Sequence, residues 1–176
     1  MLTTDLNNHR ADVAVITETH FKIKHSASST HIPGYSAFRK DRRGRKGGGV
    51  AVYVRTTMQS FEWVPPAIDS VFELLWVGVG ATFVGGLYHP PRPQYSTESL
   101  LKYLEACVEE IHQQFPAAHI VLAGDFNQIS DAESDNERSV RQSTRIASRP
   151  TYLLSAASLS TFNVADNTDD QIIMDN

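Results

Sequence analysis

Two short apolar runs end in oxygen-bearing side chains. Ala11–Thr17 (ADVAVIT) leads into Glu18-Thr19-His20, and His119–Ala123 (HIVLA) leads into Gly124-Asp125-Phe126-Asn127. A carboxylate at the exit of a buried strand is held rigidly while it faces solvent. That suits a hard cation such as Mg²⁺, which takes oxygen ligands and usually keeps several waters. Glu18 is the candidate ligand. On extended chain Asp125 and Asn127, two residues apart, point to one side. Together they offer an acceptor and a donor, and an amide can donate to a phosphate oxygen that a second carboxylate would repel. Tyr88 is a third candidate, presenting its hydroxyl where a strand enters the stiff His89-Pro90-Pro91 loop. Each signal has an ordinary counterpart. Glu18 is also a plain polar strand exit, Asp125 and Asn127 also suit an Asx turn, and Tyr88 also suits a surface amphipath.

A basic, glycine-rich loop carries Arg39, Lys40, Arg42, Arg43, Arg45 and Lys46. It reads either as a contact for backbone phosphates or as a solvated charge run. It is not a P-loop, because Gly47 to Gly49 follow Lys46 without a Gly-Lys-Ser/Thr and precede a strand rather than a helix. His89, His112 and His119 lack zinc-ligand spacing, and Cys107 is the single cysteine. A calcium loop starting at Asp125 fails, because Ile129 takes a ligand position and the turn glycine is absent.

The elements that must hold these groups are legible from periodicity. Ala11–Thr17, Val50–Arg55 (VAVYVR) and His119–Ala123 read as buried strands, and Gly34–Arg39 as a short one. Phe72–Val79 and Thr82–Tyr88 read as a strand pair joined by a tight turn. Ser96–Phe115 is the clearest helix, with Leu100, Leu104, Cys107, Val108, Ile111 and Phe115 in one stripe. Ser96 or Thr97 caps its start, and Pro116 follows its end. No internal repeat is visible. Beyond Ser130 strand-like runs give way to Ser, Ala, Thr, Asn and Asp; Tyr152–Leu154 is the only compact apolar patch before Ile172–Met174, and the sequence places no regular element there. Strands flanked by helices, with several strands in succession, predict an α/β sandwich of two packed sheets.

Composition bounds the partners. The 176 residues are 41% hydrophobic and 20% charged, which is globular rather than disordered. The net charge is -4, so the chain as a whole is not a basic nucleic-acid binder. Its charge is nevertheless segregated. Nine of the 16 Lys and Arg lie between Lys22 and Arg55, opposed only by Asp41, while Asp131 to Glu137 is acidic. That fits an enzyme meeting a polyanion on one face. One cysteine permits no intrachain disulfide and suits a reducing compartment. No signal peptide or membrane-spanning run is seen, so a nuclear or cytoplasmic monomer away from membranes is expected.

Taken in order, ADVAVITETHF, GYSAFRKDRRGRKGGGVAVYVR, FELLWV, LYHPPRP, a helix and IVLAGDFNQISD resemble the endonuclease domains of LINE-type (non-LTR) retrotransposons. These belong to the endonuclease/exonuclease/phosphatase superfamily, with exonuclease III and deoxyribonuclease I. The resemblance covers 1–131 and implies a four-layer α/β sandwich, two packed mixed sheets flanked by helices. It leaves 132–176 as a divergent, poorly ordered tail. It implies that Glu18 binds Mg²⁺ or Mn²⁺, that Asp125 orients or deprotonates the attacking water, and that Asn127 holds the scissile phosphate. Tyr88 would support phosphate or transition-state charge, and the Arg39–Lys46 loop would contact the DNA backbone. His20 and Thr144, the latter in Gln142-Ser143-Thr144-Arg145, are weaker candidates. A reverse transcriptase domain in a longer parent chain is also implied. Two departures stand out. The family's first strand, with its metal-site Asn, precedes Met1, and no histidine follows His119 to match the family's terminal Ser-Asp-His. The sandwich is therefore expected to be incomplete at both ends, with an exposed sheet edge and weak or no nuclease activity. A non-catalytic nucleic-acid-binding remnant, or another phosphoesterase of the superfamily, remains the alternative.

Overall fold

A computed structural model describes residues 4, 6, 11–42, 47–66, 71–127, 151–155 and 159–162. Strands β1 (Val13–Thr17), β2 (Tyr35–Lys40), β3 (Val50–Arg55), β4 (Ser60–Trp63), β5 (Glu73–Val79) and β6 (Thr82–Tyr88) precede the helix α1 (Thr97–Gln114). Strands β7 (His119–Asp125), β8 (Thr151–Ser155) and β9 (Leu159–Phe162) follow it. The first sheet has the order β2-β3-β1-β9 and is antiparallel throughout. The second has the order β4-β5-β6-β7-β8 and is mixed. In it β6, β7 and β8 run parallel, and α1 supplies the crossover from β6 to β7 that a parallel pair requires.

The sheets lie face to face over an apolar layer. Val13 and Val15 of β1 and Val50, Val52 and Val54 of β3 meet Leu75, Val77, Val84 and Ala123 of the second sheet. The other face of the second sheet packs Trp76, Phe83, Leu87 and Leu122 against Leu100, Leu104, Cys107 and Ile111 of α1. Both faces of the second sheet are thus covered, which is why β5 and β6 read as continuous apolar runs rather than alternating ones. The outer face of the first sheet carries Ala14, Ala51 and Tyr53 under the fully buried Leu6 and under Ile32. This is an α/β sandwich, with the sheets inside and α1 outside.

Glycines set how closely the layers approach. Gly85 and Gly86 lie side by side on β6 and face opposite ways. A methyl group on Gly86 would lie 2.9 Å from a Val50 methyl and 3.2 Å from a Val15 methyl. One on Gly85 would lie 2.6 Å from Leu122 and 2.8 Å from the Trp76 ring. The sheet-to-sheet spacing at this row therefore depends on a missing side chain.

The strand ends differ from the sequence reading by one or two residues. Larger differences have physical reasons. β4 was not foreseen, because four residues with two exposed side chains give no burial pattern; Trp63, edge-on to Trp76, anchors it. β8 and β9 fall where the sequence placed no element: β8 takes in the apolar patch Tyr152–Leu154 and pairs with β7, and β9 pairs with β1. The edge expected beside β1 is not exposed: β3 covers one side and β9 the other. α1 begins after Ser96, whose hydroxyl accepts the Ser99 N–H at 3.1 Å. Its stripe is buried except at Val108, which is half-buried, and Phe115, which is exposed beyond the helix end.

Gly86→Ala is expected to lower stability by about 1–3 kcal/mol through overpacking between the sheets. The urea midpoint reads it, and an unchanged midpoint would show that the sheets do not meet at this row.

Candidate active site

Register builds the site. Leu75, Gly86 and Ala123 form one row across β5, β6 and β7, facing the first sheet. Two residues along each strand brings the same face round again. The next row toward the rim is Glu73, Tyr88 and Asp125. The apolar inter-sheet layer thus ends in two carboxylates and a phenol. The first sheet contributes from above: β1 ends at Thr17, opposite Val50, and Glu18 follows.

Glu18 and Tyr88 meet across the gap. The Tyr88 hydroxyl donates to Glu18 Oε1 at 2.5 Å. Tyr88 is buried and Glu18 exposed, so the carboxylate keeps access to water. Burial first, then the Glu18 bond and charge, with Asp125 adding to them, push the Tyr88 pKa well above the tyrosine range; Arg42 opposes the shift. Tyr88 is therefore a neutral donor at physiological pH.

Asp125 and Asn127 do not share one side of an extended strand. Asn127 lies beyond the end of β7 with φ 39°, and its N–H donates to Asp125 Oδ1 at 3.0 Å. This is the Asx turn that Asp favours. The Asn127 side-chain amide donates to the His89 carbonyl at 2.6 Å, and the His89 N–H donates to the Asp125 carbonyl at 2.8 Å. The Asn127 amide has a second N–H. Gly124, in the middle of the motif, has φ 136°, and a Cβ there would collide with the Leu87 carbonyl. The glycine of GDFN thus serves close strand contact, while the Asp and Asn reach the rim.

Glu18 and His20 also have positive φ, 51° and 57°. Such conformations in residues other than glycine cost about 1–3 kcal/mol each and cluster at functional sites. Here they are held by a second loop. Gly49 accepts the Thr19 N–H at 3.3 Å, and Gly48 accepts the His20 N–H at 2.9 Å. The His20 side chain is exposed beside Gly47.

The basic residues are less free than their number suggests. The Arg39 guanidinium donates to the His25 carbonyl at 2.7 Å, lies 3.6 Å from Asp41 and covers the Phe21 ring. Arg42 pairs with Glu73 and sits 5.3 Å from the Tyr88 ring centre. Lys40 is half-buried on the same strand as Arg39. Arg43, Arg45, Lys46 and Thr144 lie outside the described residues. Glu73 was missed by sequence reasoning: at the head of an apolar run it resembles a strand boundary. The only available signal was a charge abutting residues that had to be buried.

The donors near the rim are oxygens: the Glu18 and Asp125 carboxylates and the Asn127 amide. That set suits Mg²⁺ or Mn²⁺ rather than zinc, which takes nitrogen and sulfur ligands as well. Among the described residues, no three His, Cys, Asp or Glu converge into a closed cage. A cation that retains most of its waters needs only one or two of these carboxylates.

His89 supplies a pH test. Its side chain is 2% exposed, with Nδ1 3.2 Å from the Tyr95 hydroxyl. Burial lowers its pKa below the ordinary 6.5, with Asp125 opposing. The unfolded chain therefore takes up this proton at higher pH than the folded chain. Stability from this group is full above about pH 6.5 and declines as pH falls from there through the folded value. Urea midpoints measured on both sides of this range should fall more steeply with acid in the native chain than in His89→Asn. Equal slopes would remove His89 from the acid sensitivity.

The sequence pattern of the Endonuclease/Exonuclease/phosphatase family matches residues 2–158. No curated protein matches the chain. Among solved structures, the 3′ phosphatase NExo from Neisseria, bound to product DNA hairpin, shares 18% identity. It covers 82% of this chain and 62% of its own, at TM-score 0.51. The endonuclease domain of TRAS1, a telomere-specific non-LTR retrotransposon, shares 18% over 72% of this chain and 51% of its own, at TM-score 0.46. An AP endonuclease from Archaeoglobus fulgidus shares 19% over 71% and 50%, also at 0.46. The chain thus spans about half the length of the last two. Among the described residues no helix is long and apolar enough to cross a membrane. With a family match that runs through β1, the rim residues and β8, this chain belongs to the Endonuclease/Exonuclease/phosphatase family.

Proposed function

We propose that this chain hydrolyses phosphodiester bonds of DNA, with Mg²⁺ or Mn²⁺, at the rim between its two sheets. The observation that carries the reading is the meeting of Glu18 and Asp125 around one neutral tyrosine. Glu18 accepts a hydrogen bond from its hydroxyl, and Asp125 is its register partner on the neighbouring strand. Arg42, the nearby guanidinium, is already matched by Glu73. The two carboxylate charges at the rim therefore favour a cation there.

In this reading Glu18 would hold the cation, with water completing its shell. When bound, it polarises the phosphoryl oxygen and stabilises the leaving oxygen. Asp125 keeps one carboxylate oxygen beyond the Asx turn, to orient the attacking water or take its proton. Asn127 directs its second amide N–H to a phosphate oxygen, while the His89 carbonyl fixes the side chain. Tyr88 holds Glu18 in place and adds a neutral dipole near developing charge. The Arg39–Lys46 loop meets the DNA backbone, which makes binding salt-sensitive and poor in sequence information. The resemblance to LINE-type endonucleases supports a parent protein in which this activity accompanies a reverse transcriptase.

The test is relaxation of supercoiled plasmid. Slow, Mg²⁺-dependent nicking is expected, abolished by chelation and by either Glu18→Ala or Asp125→Ala. DNA binding without nicking, indifferent to Mg²⁺, would instead support a non-catalytic nucleic-acid-binding role. Nicking unchanged by both substitutions would overturn the site.

A further inference from the structure

We propose that Glu73 is a positioning residue that sets the backbone of Glu18 through the glycine turn 47–49. This rests on the reading of Glu18 as the cation-binding carboxylate. Glu73 opens β5 and is 9% exposed. Its Oε2 accepts the Gly49 N–H at 2.6 Å, and its Oε1 accepts Arg42 Nε at 2.5 Å. The turn held in this way passes the constraint on. Gly49 and Gly48 offer their carbonyls to the N–H groups of Thr19 and His20, the two residues after Glu18. Glu18 thus lies one residue from a backbone link that runs back to a carboxylate on the other sheet.

The shape of the turn supports this role. Gly47, Gly48 and Gly49 have φ 78°, 69° and 91°, in the region that favours glycine. A Cβ on Gly48 would lie 2.5 Å from Glu73 Oε2, and one on Gly49 would lie 2.6 Å from Thr19 Oγ1. Side chains are thus excluded where the turn touches Glu73 and where it touches the segment after Glu18. A second path reaches the same carboxylate. Arg42, fixed by Glu73, lies over the Tyr88 ring, and the Tyr88 hydroxyl donates to Glu18. One buried carboxylate therefore steers Glu18 by its backbone and by its side-chain partner.

A carboxylate that merely stabilised the fold would loosen the whole sandwich when removed. Residue-resolved amide exchange separates the two cases. In Glu73→Ala the Thr19 and His20 amides should exchange at least about tenfold faster, while Val13 to Thr17 keep native protection. Glu73→Gln retains an oxygen for the Gly49 N–H without the charge. It should fold even if alanine does not, with Thr19 and His20 within about threefold of native. Mn²⁺ affinity, followed by electron paramagnetic resonance, should fall about tenfold or more in Glu73→Ala and recover in Glu73→Gln. Native exchange at Thr19 and His20 in Glu73→Ala overturns the proposal. So does a rise shared equally with β1, or a rise in Glu73→Gln as large as in alanine. If the native chain binds no Mn²⁺ but the exchange pattern holds, the cation reading of Glu18 fails and the positioning role stands.

Discussion

The hydrogen bond from Tyr88 to Glu18 is the point on which the rim depends, because it is a directional link between two sheets whose shared interior is apolar packing. Apolar burial is strong but non-directional, so it brings the sheets together without fixing where a side chain on one faces a side chain on the other. A 2.5 Å contact tolerates little drift in the sheet spacing. The valines of β1 and β3 and the bare backbone of Gly86 set that spacing two residues inside the rim. The polarity of the link is fixed as well. A tyrosine driven above its usual range by burial and by two carboxylates keeps its proton, so it acts as donor and Glu18 as acceptor.

What could be read from the sequence follows the range of the interactions involved. Strands and the helix were legible because burial imprints a period on neighbouring residues, as in VAVYVR and the Leu100–Ile111 stripe. The rim positions of Glu18, Tyr88 and Asp125 were legible for the same reason: each is the first ionisable group where an apolar run ends. Register was not. That Tyr88 lies beside Asp125 on one side and Glu73 on the other is set by pairings across 15 and 37 residues of chain. β8 and β9 are too short to show a burial period of their own and are defined by the edges they complete. Of the two arrangements open for Asp125 and Asn127, the Asx turn forms, because a local side-chain-to-backbone bond ends the extended chain before Asn127. Charge in a sequence also does not show that Arg39 serves His25 and Asp41, or that Arg42 serves Glu73.

Glu73 also bears on why a carboxylate occupies a place that hydrophobic residues would fill more cheaply. Buried ion pairs are weak stabilisers, because the loss of hydration offsets much of the attraction. The neighbours of Glu73 along β5 are Leu74, Leu75 and Trp76, and an apolar residue would continue that run. The carboxylate instead takes a backbone N–H and a guanidinium, so its desolvation is met by several donors. The pair is more easily understood as geometry than as stability. It ties the turn at Gly47 to Gly49 to the same row that carries Tyr88 and Asp125.

The two ends of the sandwich make the contrast plain. Away from the rim, β5 turns into β6 through Gly80 at φ 57°, where a Cβ would meet nothing within 4 Å. Residue type and conformation agree there, and no strain is stored. At the rim Glu18, His20 and Asn127 take positive φ without being glycine, although Asn tolerates it better than the others. Such conformations persist only where surrounding bonds over-determine them, and each of these segments is held. Gly48 and Gly49 secure the segment after Glu18, and Asp125 and His89 secure Asn127. Natural sequences break local rules where function requires it and make up the stability elsewhere. Here the broken rules all fall at one end of two well-packed sheets, where the carboxylates and the tyrosine meet.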